Sequence, residues 1–311
     1  MHHTLITGCT GFVGKNLIDY LQQQNHFDIT GITRNVEAQA LPVNVSLKSY
    51  PALELSRETW DSYIHLAGMA HDVKGTTEEE AYFEVNYELT RKVFDRFLKD
   101  DRADKFIFLS SVKAVSDSPD GTVDEHVKPE PMTAYGRSKA KAEQYLLDRQ
   151  VRGKDVYILR PCMIHGPGNK GNLNLLHGLI RRGIPWPLGS YENQRSFLSI
   201  DNLNFVIREI LSGHIAPDVY HISDDEPLST NELVGLIAKV SGRKGRILKA
   251  PKWLINTIAK AGNLMASPLN EERLQKLTES YVVSNAKLKK AIGKELPVKV
   301  RDGLARTLGS L

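Results

Sequence analysis

A chain of 311 residues with 41% hydrophobic and 25% charged content has the composition of an ordinary soluble globular protein with enough apolar residues for a sizeable core. It contains no internal repeat, heptad run or low-complexity segment, and no apolar run reaches the length that spans a bilayer. The net charge of +4 comes without a nucleic-acid motif or interleaved aromatics, and two distant cysteines, Cys9 and Cys162, match no metal spacing.

The length suggests two domains. Thr4 to Gly14 reads T-L-I-T-G-C-T-G-F-V-G: a short buried strand, then Gly8, Gly11 and Gly14 at intervals of three, then Leu17, Ile18 and Leu21 on one helix face. This predicts a strand, a tight glycine turn and a helix N-terminus. Glycine permits backbone conformations closed to a residue with a Cβ, and the free N–H groups of the first helical turn suit a pyrophosphate. The expected ligand is a dinucleotide. Met1-His2-His3 runs directly into the strand, so we expect no signal peptide, a cytoplasmic address and small buried thiols at Cys9 and Cys162.

Phe27 to Arg34 reads as the second strand. An acidic residue at its end would bond the adenosine ribose hydroxyls of NAD, whereas Arg34 is suited to the 2′-phosphate of NADP. The tilt is therefore toward NADP, with NAD possible. Val43 to Trp60 looks irregular, lacks the acidic residue that often contacts adenine at this place, and yields no assigned strand. Ser62 to Gly68 is the next strand, ending in small residues. Glu78 to Lys99 has helical periodicity, and Asn86 within it either braces neighbouring backbone or faces solvent. Lys105 to Ser111 is an almost wholly apolar strand whose end carries Ser110 and Ser111, at the edge where open α/β sheets bind ligands.

A proline-bearing loop leads to a helix from Ala134, in which Tyr135 and Lys139 stand four apart and share a face. Val156 to Pro161 is a further strand, followed by the loops Gly166–Asn172 and Arg182–Gly189. Ser196 to Ile200 reads as a short strand, Asp201 as the cap of a helix through Leu211, and Val219 to Ile222 as a returning strand. Ser229 and Glu232 form a capping box. Lys252-Trp253-Leu254-Ile255 with the following Ile258 and Met265 is amphipathic and suits either a membrane contact or, more simply, a helix packing on its own domain. Between Arg243 and Lys294 the basic residues far outnumber the acidic ones, favouring a solvated basic face or an anionic ligand. A helix carrying Leu288 and a helical tail over Val298–Leu308 end the chain. The division expected is 1–165 for the dinucleotide, with returning segments near 200–225, and 166–311 mainly for the substrate.

Ser111, Tyr135 and Lys139 suggest chemistry at a secondary alcohol or ketone. Hydride leaves or arrives at carbon only if a proton also leaves or arrives at oxygen, and a tyrosine does both if its pKa falls from about 10 toward neutrality. Lys139 and an oxidised nicotinamide ring would favour the phenolate, while Ser111 holds the substrate oxygen.

Thr7-Gly8-x-x-Gly11-x-x-Gly14, His65-Leu66-Ala67, Ser110-Ser111, Tyr135-x-x-x-Lys139 and Arg160-Pro161 with Gly166-Pro167 resemble the extended short-chain dehydrogenase/reductases. The branch they resemble is that of nucleotide-sugar epimerases, dehydratases and reductases. The resemblance implies a doubly wound parallel α/β sheet of Rossmann type with a smaller C-terminal α/β substrate domain. It implies a dinucleotide held by Gly8, Thr10, Gly11, Phe12, Val13, Gly14, Arg34, Leu66, Ala67, Tyr135, Lys139 and Pro161, and catalysis by Ser111, Tyr135 and Lys139. No metal is implied.

Departures within the branch matter. The 4,6-dehydratases carry an Asp-Glu pair where this chain has Val112 and Lys113, which argues against water elimination. The 4-epimerases usually have an acidic residue near Arg34's position and an Asn where Met163 stands. The segments Ser110–Lys113, Gly166–Asn172 and Pro187–Ser196 look like those of bacterial surface-polysaccharide reductases that act on UDP-4-keto-6-deoxy-N-acetylhexosamines. By the same resemblance Ser111, Asn172, Leu173 and Arg195 contact the UDP-sugar, Arg195 at the pyrophosphate; a C-terminal Arg and acidic pair has no clear counterpart. The expectation is a 4-ketoreductase; a 4-epimerase with tightly held NAD and a catalytically silent redox-sensing protein are the alternatives. Homodimerisation through the helices bearing Tyr135 and Asn86 would use Tyr82, Phe83, Phe94, Tyr145 and Leu146, unless these are ordinary core.

Overall fold

Near-continuous apolar runs are what strands covered on both faces require. In the computed structural model, which describes residues 1–24, 26–37, 45–69, 78–169, 172–213, 215–264 and 270–311, such runs assemble into a seven-stranded sheet. Its strands are β1 (His2–Thr7), β2 (Phe27–Thr33), β3 (Val45–Ser49), β4 (Ser62–His65), β5 (Lys105–Leu109), Asp155–Pro161 and Val219–Ile222. The spatial order is Val219–Ile222, Asp155–Pro161, β5, β4, β1, β2, β3, and every pairing is parallel. Chain order reverses at β1, so the crevice beyond the carboxyl ends of β1 and β4 is the switch point at which such sheets bind ligands.

Helices cover both faces. Helix α1 (Phe12–Gln22) buries Leu17, Ile18 and Leu21 against Ile6, Ile29 and Ile64 on one face, together with the helix Ile200–Leu211. On the other face Val93, Phe94, Phe97 and Leu146 pack on Leu5, Phe106, Phe108 and Ile158. A second apolar cluster joins Leu173, Trp186, Leu188, Leu233, Ile237, Ile255 and Leu304.

Several expectations are revised. The stretch assigned no strand contains β3 and then a helix at Tyr50–Leu55, capped by the Ser49 hydroxyl. Ser199, not Asp201, caps the helix Ile200–Leu211: the Ser199 Oγ accepts from the Asp201 N–H, and Asp201 lies within the first turn. Leu288 and Ile292 pack in the same cluster as the central sheet, although they lie far into the C-terminal half. Phe94 and Leu146 are fully buried within the chain and Tyr82 nearly so, so these three serve the core rather than a dimer surface. The capping box of Ser229 and Glu232 forms as expected, and the tail helix spans Val300–Gly309.

Candidate active site

The glycine turn leaves β1 with Gly8 at φ +69°, a left-handed conformation that disfavours side chains. A Cβ at Gly8 would sit 2.6 Å from the Ala67 backbone nitrogen, and one at Gly14 would press into the Gly8 carbonyl. These glycines let β1, α1 and the end of β4 approach closely. Gly11 caps α1 without a side chain, and no acidic residue stands in the first turn, so the positive end of the helix is open to an anion. Thr10, Phe12 and Val13 belong to this same turn. Arg34 is exposed at the end of β2, and its charge acts on Tyr50, whose phenol also contacts Thr7. Burial, the dominant influence, pushes the Tyr50 phenol up to about 12. The open helix N-terminus and the close-packed glycine turn suit an anionic group such as the pyrophosphate of a nicotinamide dinucleotide.

The end of β4 is held by a relay of hydroxyls around His65, whose side chain is buried. The Ala67 N–H donates to Thr7 Oγ1 at 3.2 Å, and Thr7 Oγ1 lies 2.6 Å from His65 Nδ1. On the other side His65 Nε2 lies 2.9 Å from Thr90 Oγ1, which donates to the Asn86 carbonyl at 2.7 Å. Burial, aided by Lys139, lowers His65 to about 3, so the ring is neutral and the Nε2–H tautomer completes the relay. This network fixes Leu66 and Ala67 beside the glycine turn.

Asn86 resolves to a brace. It is wholly buried in a π-helical turn, Glu84–Glu88, within an otherwise α-helical region. Its Oδ1 accepts from the Met69 N–H at 2.8 Å, while Nδ2 donates to the Met69 carbonyl at 3.2 Å and to Ser138 Oγ at 3.0 Å. Ser138 Oγ in turn donates to the Tyr135 carbonyl at 2.8 Å. One amide thus joins the chain beyond β4 to the helix carrying Tyr135 and Lys139.

That helix, Ala134–Leu147, is capped by the Thr133 hydroxyl and carries Tyr135 on its first turn. The structure brings Ser111, Tyr135 and Lys139 together. Ser111 lies at the exit from β5, where its hydroxyl lowers the Tyr135 phenol against the effect of burial; its Oγ accepts from the Lys113 N–H at 3.2 Å. Lys139 Nζ donates to the Leu109 carbonyl at 2.9 Å, lies 4.8 Å over the Phe108 ring and faces the close approach of Gly68. Burial lowers Lys139 to about 8, with Glu143 opposing the shift. Burial holds the Tyr135 phenol above its ordinary value, with Ser111 opposing the shift.

Behind Lys139 lies a charge cluster that sequence reading missed. Glu143, one turn on, receives Arg160 Nε at 3.0 and 3.1 Å on its two oxygens and Arg160 Nη2 at 2.6 Å, and also accepts from Ser110 Oγ. Arg160 Nη1 lies 3.4 Å from His221 Nε2. Burial first, and then Arg160, lowers His221 to about 4. The available signal was the i, i+4 spacing of Lys139 and Glu143. Pro161, next to Arg160, ends its strand beside this cluster.

The residues expected to meet the substrate are less tightly gathered. Asn172 begins the helix Asn172–Arg181, but its side chain lies outside the described residues. Leu173 is buried in the second apolar cluster. Arg195 Nη1 donates to the Lys276 carbonyl at 2.5 Å, and burial lowers its pKa, opposed by Glu279. Lys113 joins this region: its Nζ lies 4.4 Å over the Tyr281 ring and donates to the Asp117 carbonyl at 2.5 Å. Burial lowers Lys113, with Arg195 and Lys276 adding to the effect against Asp117 and Glu279. Tyr281 itself donates to the Ser116 carbonyl at 2.6 Å across more than half the chain, a contact with no local sequence signal. Among the described residues, no group of three His, Cys, Asp or Glu side chains forms a metal site.

A parallel doubly wound sheet with a glycine-rich turn and helix N-terminus at its switch point is the architecture of a nicotinamide-dependent enzyme. The model of the NAD dependent epimerase/dehydratase family matches residues 4–222, and the chain belongs to that family. It is 29% identical to a UDP-glucose 4-epimerase of Vibrio cholerae over 97% of this chain and 93% of the relative. It is 27% identical to a UDP-2-acetamido-2,6-beta-L-arabino-hexul-4-ose reductase of Pseudomonas aeruginosa over 74% of this chain and 55% of the relative. The fold matches that of UDP-glucuronic acid 4-epimerase from Bacillus cereus in complex with NAD, with a TM-score of 0.77, 18% identity, and coverage of 99% of this chain and 96% of that one. The resemblance in the motifs to the extended short-chain dehydrogenase/reductases of the nucleotide-sugar branch therefore holds for the whole fold.

Proposed function

We propose that the protein is an NADP-preferring oxidoreductase acting at C4 of a UDP-sugar, in the direction of 4-ketoreduction. The observation that carries this reading is the convergence of Ser111, Tyr135 and buried Lys139 at the carboxyl edge of the sheet, with the Ser111 hydroxyl acting on the Tyr135 phenol. Arg34 supports the phosphorylated dinucleotide. Val112 and Lys113, in place of an acid pair, support reduction over dehydration.

The nicotinamide ring, when bound, supplies or accepts the hydride. In the reductive direction the Tyr135 O–H gives its proton to the C4 carbonyl oxygen, and its raised pKa keeps that proton in place until the oxygen gains negative charge. Ser111 Oγ holds the same oxygen and remains hydrogen-bonded to the phenolate left on Tyr135. The buried Lys139 ammonium, fixed by the Leu109 carbonyl, favours that phenolate electrostatically. Arg195, with Lys113 nearby, supplies cationic charge for the diphosphate of the substrate. A substrate domain formed mainly by residues 166–311 would carry this end of the site.

A second reading, a UDP-sugar 4-epimerase, is favoured by the near full-length likeness to the Vibrio cholerae epimerase. One experiment separates the two. The purified protein is analysed for bound nucleotide and then given a UDP-4-keto-6-deoxy-N-acetylhexosamine with NADPH. Stoichiometric NADPH oxidation supports the reductase; retained NAD with interconversion of C4 epimers and no cofactor consumption supports the epimerase and overturns the first reading.

A further inference from the structure

Among the described side chains of the helix Lys252–Leu264, a narrow stripe packs on its own domain. Ile255 and Ala259 are buried at 4% and 0% exposure, whereas Trp253 is 69% exposed, Leu254 39% and Ile258 46%. Residues 253, 254, 257, 258 and 261 share one face at helical spacing, and all are exposed. The segment leading into the helix adds Ile247 at 37% and Leu248 at 53%. Five of the sixteen exposed large apolar side chains among the described residues thus fall between positions 247 and 258. Single exposed apolar residues need no explanation, but such a concentration marks a contact surface.

Charge identifies the partner. From Ser241 to Leu264 the chain contains Arg243, Lys244, Arg246, Lys249, Lys252 and Lys260 and not one Asp or Glu. On the helix, Lys252 and Lys260 lie along one flank of the exposed apolar face, with Asn256 between them. Lys252 Nζ is 5.4 Å over the Tyr191 ring, and Tyr191 donates to Asn256 Oδ1 at 2.9 Å, so this flank is structurally anchored. Cations beside a Trp-Leu-Ile face are the pattern of a helix lying in a bilayer interface, with ammonium groups at phosphate level and apolar groups at the acyl boundary. Among the described residues no helix is long and apolar enough to cross a membrane, so a surface contact is the form open to this segment.

We infer that the face formed by Trp253, Leu254 and Ile258 with Lys252 and Lys260 docks the protein on an anionic lipid surface. The binding is peripheral and reversible. It rests on exposed apolar area and charge together, so it falls when either is removed. It is independent of the proposed catalytic reading, because none of these residues touches the Ser111, Tyr135 and Lys139 group.

The test uses the full chain with vesicles of phosphatidylcholine alone and of phosphatidylcholine with phosphatidylglycerol. Sedimentation should show binding to the anionic vesicles that weakens as salt is raised. Trp60 and Trp186 are buried at 2% and 5% exposure, so a blue shift of emission and its quenching by brominated lipid would report Trp253. Trp253→Ser with Ile258→Ser, and separately Lys252→Glu with Lys260→Glu, should each reduce binding about tenfold or more, leaving dinucleotide binding and thermal unfolding unchanged. Absence of binding to anionic vesicles, binding equal to both vesicle types, or binding that both double variants leave intact overturns the inference. A concentration-dependent dimer abolished by the Trp253→Ser, Ile258→Ser variant, without vesicle binding, also overturns it and assigns the face to self-association.

Discussion

Arg160 grips both carboxylate oxygens of Glu143 in a pair buried directly behind Lys139, with Nε at 3.0 and 3.1 Å and Nη2 at 2.6 Å. Both residues are almost fully buried, at 6% and 3% exposure. Breaking such a pair leaves an uncompensated charge in a low-dielectric interior. Glu143→Ala should therefore destabilise the protein by about 3–5 kcal/mol, measured by urea unfolding. Removing both charges together, with Glu143→Leu and Arg160→Met, should cost clearly less than the single change. If the double variant is as unstable as Glu143→Ala, the pair does not act as an uncompensated-charge trap.

Lys139 makes stability depend on pH. Its pKa is about 8 in the fold and that of an ordinary lysine, 10.5, when unfolded. Between these values the unfolded chain binds more protons, so stability should rise as pH increases from 8 toward 10.5. Below pH 8 the ammonium is charged in both states and its burial cost is fully present. The rise attributable to this group is roughly 3 kcal/mol by the free-energy equivalent of a pKa shift. Unfolding of wild type and Lys139→Met across that range measures it. Equal slopes for the two proteins would refute the assignment.

Gly8 occupies a conformation and a space that no larger residue shares. Gly8→Ala would drive a Cβ into the backbone at Ala67 and spread β1 from β4. Dinucleotide affinity measured by calorimetry should fall at least about tenfold, given a strain of roughly 1–3 kcal/mol at such positions. Unchanged affinity would show that the turn is not the pyrophosphate cradle.

Arg34 stands at the end of β2 with an exposed side chain. A charge-assisted bond to a 2′-phosphate contributes about 1.5–3 kcal/mol, so Arg34→Asp should lower the NADPH to NADH ratio of kcat/KM by about tenfold or more. A ratio that does not move would remove Arg34 from the cofactor site and the argument for NADP with it.

Tyr135 carries the proton in the proposed reaction. Tyr135→Phe keeps the ring that packs 6.1 Å from Tyr82 and deletes only the hydroxyl. Turnover should drop about 10²–10⁴-fold with dinucleotide binding retained. Retention of near wild-type turnover would eliminate Tyr135 as the acid.

The sequence by itself determined the local devices. Gly8, Gly11 and Gly14 were legible because a strand, turn and helix are consecutive, and Tyr135 with Lys139 because i, i+4 places both on one helix face. The apolar strands announced a parallel sheet for the same reason: their pattern is complete within a few residues. Tertiary structure alone decided what those devices rest on. Asn86 reaches Ser138 across 52 positions, Arg160 reaches His221 across 61, and Tyr281 reaches Ser116 across 165. In a parallel sheet, neighbouring strands are separated by crossovers, so the groups that brace a site arrive from remote parts of the chain and leave no local period. The exposed face at Trp253 was undecided for a related reason: an amphipathic pattern gives two faces, and only packing selects which of them is buried.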